Sequence, residues 1–165
     1  MLNYFKIQDA IIFVTDQFKG VEAKKPTLLH SVRCGLKLMS DGFDTDLIVA
    51  GVLHDVVEDT LCTLDAIEER YGRTVREIVA ANTKDPSITD SNLRREDLIR
   101  RCCKQGGDTL IVKLSDIYDN YLYYSALGDK DLINYCLELK GYIEQYIQPV
   151  DTENRYIRSL LDEIK

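Results

Sequence analysis

The 165-residue sequence has no tryptophan, three prolines and two histidines. Any histidine-based centre must therefore be built from His30 and His54. No apolar run approaches membrane length: the longest, Leu47–Leu53, is far short of the roughly 20 residues a spanning helix needs. The N-terminal MLNYFKIQDA lacks a basic start followed by an apolar stretch, so no secretory signal is expected. No CxxC pair occurs among Cys34, Cys62, Cys102, Cys103 and Cys136. An odd cysteine count without a signal peptide fits reduced thiols in the cytoplasm, used as small apolar side chains. Basic residues are the minority, 21 against 28 acidic, and net charge is −7. That balance argues against a general nucleic-acid binder, which needs a basic face. It leaves room for a small anionic ligand, because a bound cation and a few lysines reverse the field locally.

What is present is a globular composition, 45% hydrophobic and 30% charged, in a length that suits a single domain over 1–165. Helical periodicity dominates. Ile7, Ala10, Ile11 and Val14 form one stripe, with Phe18 a turn further on, and Leu29, Val32, Leu36 and Met39 form another. Pro26 opens the second helix and Asp41-Gly42 ends it. Asp44 or Thr45 caps the next, which carries Leu47–Leu53 and runs to about Thr60. Further helices are expected over Thr63–Arg70, Thr74–Lys84, Ser91–Lys104, Asp108–Leu127, Lys130–Ile147 and Thr152–Ile164. No period-two alternation competes, so the fold class is all-α, with about eight or nine helices.

Three segments carry chemistry. In His54-Asp55-Val56-Val57-Glu58-Asp59-Thr60, four ionisable groups close a helix whose preceding residues are apolar on every side. Three carboxylates at a helix C-terminus repel one another and oppose the macrodipole, and a divalent cation removes that conflict. The second segment holds the other histidine, His30, beside the stripe Leu29-Val32-Leu36. The third is Lys113-Leu114-Ser115-Asp116 with Asn120, where i, i+3, i+7 spacing sets a cation, an anion and an amide along one helical face.

The order His, His-Asp, Asp resembles the signature of the HD superfamily of phosphohydrolases. HDxxEDT is similar to the hydrolase domain of the RelA/SpoT family, which removes the 3′-pyrophosphate of (p)ppGpp. Thr63–Gly72, Val75–Val79, Thr83-Lys84 and the Lys113–Asp116 motif with Asn120 extend the likeness over about Phe18–Asn120. The likeness is to the small stand-alone hydrolases of that family, in which no synthetase domain is expected after the hydrolase domain. The resemblance implies a single HD-domain helical bundle with metal ligands His30, His54, Asp55 and Asp116. Such mixed N/O ligation suits Mn²⁺, with Fe²⁺ and Zn²⁺ as alternatives. It also implies that Glu58 and Asp59 act on the attacking water. Asn120, Lys113, Lys24 and Lys25 would contact the nucleotide.

Three features depart from the family pattern. The segment with Lys24-Lys25 is shortened, Leu122 stands where the family has an arginine after the Asn, and Ile117 stands where one follows the metal-binding Asp. These losses favour a second reading, another HD nucleotide hydrolase acting on NADPH or a nucleoside monophosphate. A third is a silent nucleotide sensor, which predicts a broken metal or acid residue, and none is broken. The tyrosine-rich stretch Tyr118–Tyr146 offers either a homo-oligomer surface or aromatic core. Expected partners are a small-molecule nucleotide, with neither nucleic acid nor membrane.

Overall fold

The computed structural model describes residues 1–23 and 25–165, in two compact units, Met1–Thr83 and Lys84–Lys165. Among the described residues there is no strand. Among the described residues, nine helices of eight residues or more account for the predicted set, and two single turns join them.

The first unit comprises α1 (Tyr4–Gln17), α2 (Thr27–Ser40), α3 (Thr45–Leu53), the single turn α4 (Val56–Asp59), α5 (Leu64–Tyr71) and α6 (Arg73–Asn82); α1, α2 and α6 pack on α3, and α5 packs on α6. Every residue of Leu47–Leu53 is buried, as an all-apolar helix requires. Asp44 caps α3 and Thr63 caps α5, each side chain accepting a backbone N–H of the first turn, worth about 1 kcal/mol apiece. α1 buries Ile7, Ala10 and Val14 as its periodicity demands, and Phe18 follows them inside.

Two expectations are corrected here. The helix predicted to run to Thr60 stops at Leu53, and α4 begins after a turn at His54-Asp55. The imidazole Nδ1 of His54 lies 2.8 Å from the Gly51 carbonyl, the acceptor that the Asp55 N–H takes in a continuing helix. Asp55 flattens accordingly to φ −95°, ψ −8°. The second correction concerns α2. Its buried face is Thr27, His30, Ser31, Cys34, Gly35 and Leu38, whereas Leu29 and Leu36, from the stripe read as core, are 52% and 40% exposed. Glycines explain the choice. A Cβ on Gly35 would lie 2.2 Å from Val52 Cγ2, and one on Gly51 would lie 3.4 Å from Gly35 Cα. The two glycines thus let α2 and α3 approach backbone to backbone, and the residues flanking that contact are buried whatever their polarity.

The second unit comprises α7 (Ser91–Gln105), α8 (Gly107–Leu127), α9 (Lys130–Tyr146), the single turn α10 (Pro149–Thr152) and α11 (Arg155–Glu163). α8 is its spine: Thr109–Ile117 are all buried, and α7, α9 and α11 pack on it. Gly106, at φ +66°, joins α7 to α8, and Asp151 Oδ1 accepts the Gly107 N–H at 3.0 Å. α11 starts later than Thr152 because Asn154 caps it, and α6 stops at Asn82, short of Lys84. All five cysteines are buried, and burial pushes the Cys102 thiol to about 11 and that of Cys103 to about 12. Such thiols stay protonated and inert, in keeping with their reading as apolar residues.

Candidate metal centre

In the first unit, α2 supplies His30 and the turn after α3 supplies His54 and Asp55. The imidazoles meet edge to face, with centroids 5.1 Å apart, and are 2% and 0% exposed. Both turn Nε2 toward one carboxylate oxygen: Asp55 Oδ2 is 3.3 Å from His54 Nε2 and 3.7 Å from His30 Nε2. Two donors each about 2.1 Å from one ion lie about 3.0 Å apart at a right angle and about 3.4 Å apart at a tetrahedral angle. The observed separations therefore fit a shared divalent ion after small movements. The tautomer fits as well. His54 Nδ1 faces the Gly51 carbonyl and so carries the proton, which leaves the Nε2 lone pair for a metal.

Sequence reasoning missed Cys34. It follows His30 by one turn, is 1% exposed, and places Sγ 3.9 Å from His30 Nδ1. Donor atoms of His30, Cys34 and His54 all lie within 4.8 Å of one another. The i, i+4 spacing was the signal, hidden because a cysteine outside a CxxC pair reads as core.

Glu58 and Asp59 sit on α4, half-buried and exposed respectively. Their expected place on one continuous helical face with His54 and Asp55 is replaced by this separate turn.

In the second unit, Lys113 and Asp116 are buried along α8. Lys113 Nζ lies 2.9 Å from Asp116 Oδ2, and Asn120 Nδ2 donates to Asp116 Oδ1 at 2.6 Å. Both oxygens of Asp116 are thus held in place, and the buried ammonium offsets its charge. Lys113 is engaged with this carboxylate. Leu122 is 48% exposed, whereas Ile117 is packed in the core at 1%. Several tyrosines expected at an interface or in the core are half-buried, with hydroxyls donating to carboxylates: Tyr142 to Glu138 and Tyr146 to Glu96.

Of the two basic residues before Pro26, Lys24 lies outside the described residues. Lys25 lines a largely apolar recess of about 490 Å³ with Phe18, Val21, Pro26, Leu29 and Val32. Leu29 and Val32 point away from the buried His30 face of α2. No helix among the described residues is long and apolar enough to cross a membrane.

Comparison with known proteins follows the same lines. The guanosine-3′,5′-bis(diphosphate) 3′-pyrophosphohydrolase of Aquifex aeolicus is 32% identical over 119 residues, 70% of this chain and 17% of that protein. A probable enzyme of the same name from Mycoplasma pneumoniae is 30% identical over 147 residues, covering 78% and 20%. The mouse protein of that name, MESH1, is 33% identical over 93 residues, 55% of this chain and 51% of that protein. The chain thus spans about a fifth of the first two relatives and about half of the third. Among solved structures, a metazoan SpoT ortholog described as hydrolysing ppGpp superposes with a TM-score of 0.77 at 20% identity, over 96% of this chain and 93% of that one. A Listeria monocytogenes protein gives 0.63 at 24% identity, over 86% and 99%. At such identities these two establish the all-helical fold. A family profile described as HD domain matches residues 10–100. With more than half its length matched and His30 and His54-Asp55 inside the match, the chain belongs to the HD-domain family.

Proposed function

We propose that this chain is a metal-dependent nucleotide phosphohydrolase that releases pyrophosphate from the 3′ position of (p)ppGpp, with both units belonging to one hydrolase. The observation that carries it is the pair of buried imidazoles turned, Nε2 first, onto one oxygen of Asp55. His30, His54 and Asp55 hold a divalent ion in this reading. Asp116 is assigned as fourth ligand on the strength of the motif order alone, and Lys113 and Asn120 hold its carboxylate. The donor set suits Mn²⁺, with Fe²⁺ and Zn²⁺ as alternatives. A divalent ion held there would lower the pKa of a water and polarise the phosphorus–oxygen bond. Glu58 and Asp59 orient the attacking water and take its proton as it attacks the phosphorus on the 3′ oxygen, and that proton passes to the 3′ oxygen as its bond to phosphorus breaks. That oxygen departs as the ribose hydroxyl, and pyrophosphate is released. Lys24, Lys25, Lys113 and Asn120 contact the nucleotide, and the enzyme works in the cytoplasm. Relatives that carry the pyrophosphohydrolase name over the matched segment support the substrate class.

A second reading, hydrolysis of NADPH or a nucleoside monophosphate, is favoured by one observation. Position 117 is packed and position 122 carries an exposed leucine, so α8 offers no cation at either. A product assay with Mn²⁺ tests both. Pyrophosphate released from ppGpp supports the first reading. Orthophosphate from NADPH or a monophosphate, with none of that pyrophosphate, replaces it with the second.

A further inference from the structure

Resting on the metal reading above, we propose that Cys34 is a positioning residue that holds the His30 imidazole through its Nδ1 edge while Nε2 faces the metal. The two residues are one turn apart on α2 and both are buried, at 1% and 2% exposure. Sγ lies 3.9 Å from Nδ1, within reach of a sulfur hydrogen bond, and Nε2 across the ring is the atom on the Asp55 side. An imidazole that binds metal through one nitrogen is oriented by whatever meets the other. For His54 that group is the Gly51 carbonyl, at 2.8 Å. At His30 Nδ1 a sulfur lies 3.9 Å away.

The contrast has a chemical consequence. A backbone carbonyl is a strong, fixed acceptor, whereas a thiol is a weak and polarisable partner. The contact at His30 Nδ1 comes from a side chain, so substitution can remove it, whereas the one at His54 Nδ1 comes from the backbone. The rival arrangement is direct ligation by the sulfur, since donor atoms of His30, Cys34 and His54 lie within 4.8 Å of one another. Geometry favours the outer position: Sγ meets the His30 nitrogen remote from Asp55, and Asp55 is where the two Nε2 atoms converge.

Cobalt(II) separates the alternatives. The metal-free full-length chain is titrated with Co²⁺ and with Mn²⁺, for wild type, Cys34→Ala and Cys34→Ser, with thermal unfolding of each as the folding control. Wild type is expected to bind Co²⁺ with visible ligand-field bands and no sulfur-to-cobalt charge-transfer band in the near ultraviolet. Cys34→Ala should lower affinity for both ions by about 10- to 100-fold, the usual cost of losing an outer contact to a ligand, and shift the visible bands. Cys34→Ser, which keeps a polar partner for Nδ1, should recover part of that loss. Wild-type affinity and spectrum in Cys34→Ala overturn the proposal. So does an intense near-ultraviolet band in wild type that vanishes in both variants, since the sulfur would then be a ligand. The wild-type spectrum decides this point even if Cys34→Ala fails to fold. Failure of wild type to take up either ion removes the metal reading itself, and the role of Cys34 falls with it.

Discussion

His54 is the residue on which most depends, because one ring does two tasks. Its Nδ1 takes the carbonyl of Gly51 and its Nε2 faces Asp55. His54→Ala should abolish metal binding and turnover together, since only His30 remains to offer an imidazole. Metal analysis of the purified variant checks this, and full occupancy with wild-type turnover would sink the assignment. Glu58 and Asp59 should behave differently. Glu58→Gln and Asp59→Asn keep shape but remove basicity, so turnover should fall by about 10²–10⁴-fold with metal content unchanged; equal loss of both would make them ligands. Asp151, 6% exposed, is a residue whose work is structural. Its carboxylate accepts the Gly107 N–H at the start of α8, where the helix dipole favours negative charge. Asp151→Ala should cost about 1–2 kcal/mol, read by denaturant unfolding, and should leave affinity for Co²⁺ unaltered.

At the scale of elements, the decisive contact is α2 against α3. Gly35 and Gly51 bring the helices close enough for the His30 and His54 rings to touch edge to face. A Cβ at position 35 would meet Val52 Cγ2 at 2.2 Å and the Ile48 carbonyl at 3.1 Å, and the latter is backbone that cannot step aside. At position 51 the nearest atom is the flexible end of Leu38, at 2.6 Å. Gly35→Ala should therefore destabilise by about 1–3 kcal/mol as an overpacking substitution, despite the higher helix propensity of alanine, and should weaken metal binding. Gly51→Ala should do less of both. Equal stability and affinity in the two variants would show that the close approach does not set the site. The break between α3 and α4 belongs to the same scale. It was not legible in the sequence, because Leu47–Asp59 contains no glycine or proline beyond Gly51, and the interruption comes from a histidine side chain taking a carbonyl from the backbone.

For the whole molecule, the governing quantity is charge. On the proposed function, a chain at −7 takes a substrate with several negative charges and so needs local cations. Lys24, Lys25 and Lys113 are the cations that reading assigns to it, Lys113 being shared with Asp116, and neither position 117 nor position 122 adds another. We expect weak binding of ppGpp for that reason. A charge-assisted hydrogen bond contributes about 1.5–3 kcal/mol, so Leu122→Arg should lower KM for ppGpp by about tenfold or more. Because the added contact acts on ground and transition states alike, kcat should stay nearly unchanged. Steady-state kinetics check this, and an unaltered KM would place position 122 away from the substrate.

The sequence alone determined the helical class, the burial of Leu47–Leu53 and the family, since periodicity and a run of rare, chemically specific residues survive without any knowledge of packing. His30 and His54-Asp55 were legible for the same reason. It did not determine which face of α2 is buried. Counting apolar residues selects Leu29, Val32, Leu36 and Met39, but the buried face holds His30, Ser31, Cys34 and Gly35. Small and polar residues are buried there because a second glycine, distant in sequence, lets another backbone come close. Only the tertiary structure decided that, along with the contact between Cys34 and His30 and the end of α3 at Leu53: each depends on where a side chain points once two helices have packed, and no local propensity records it.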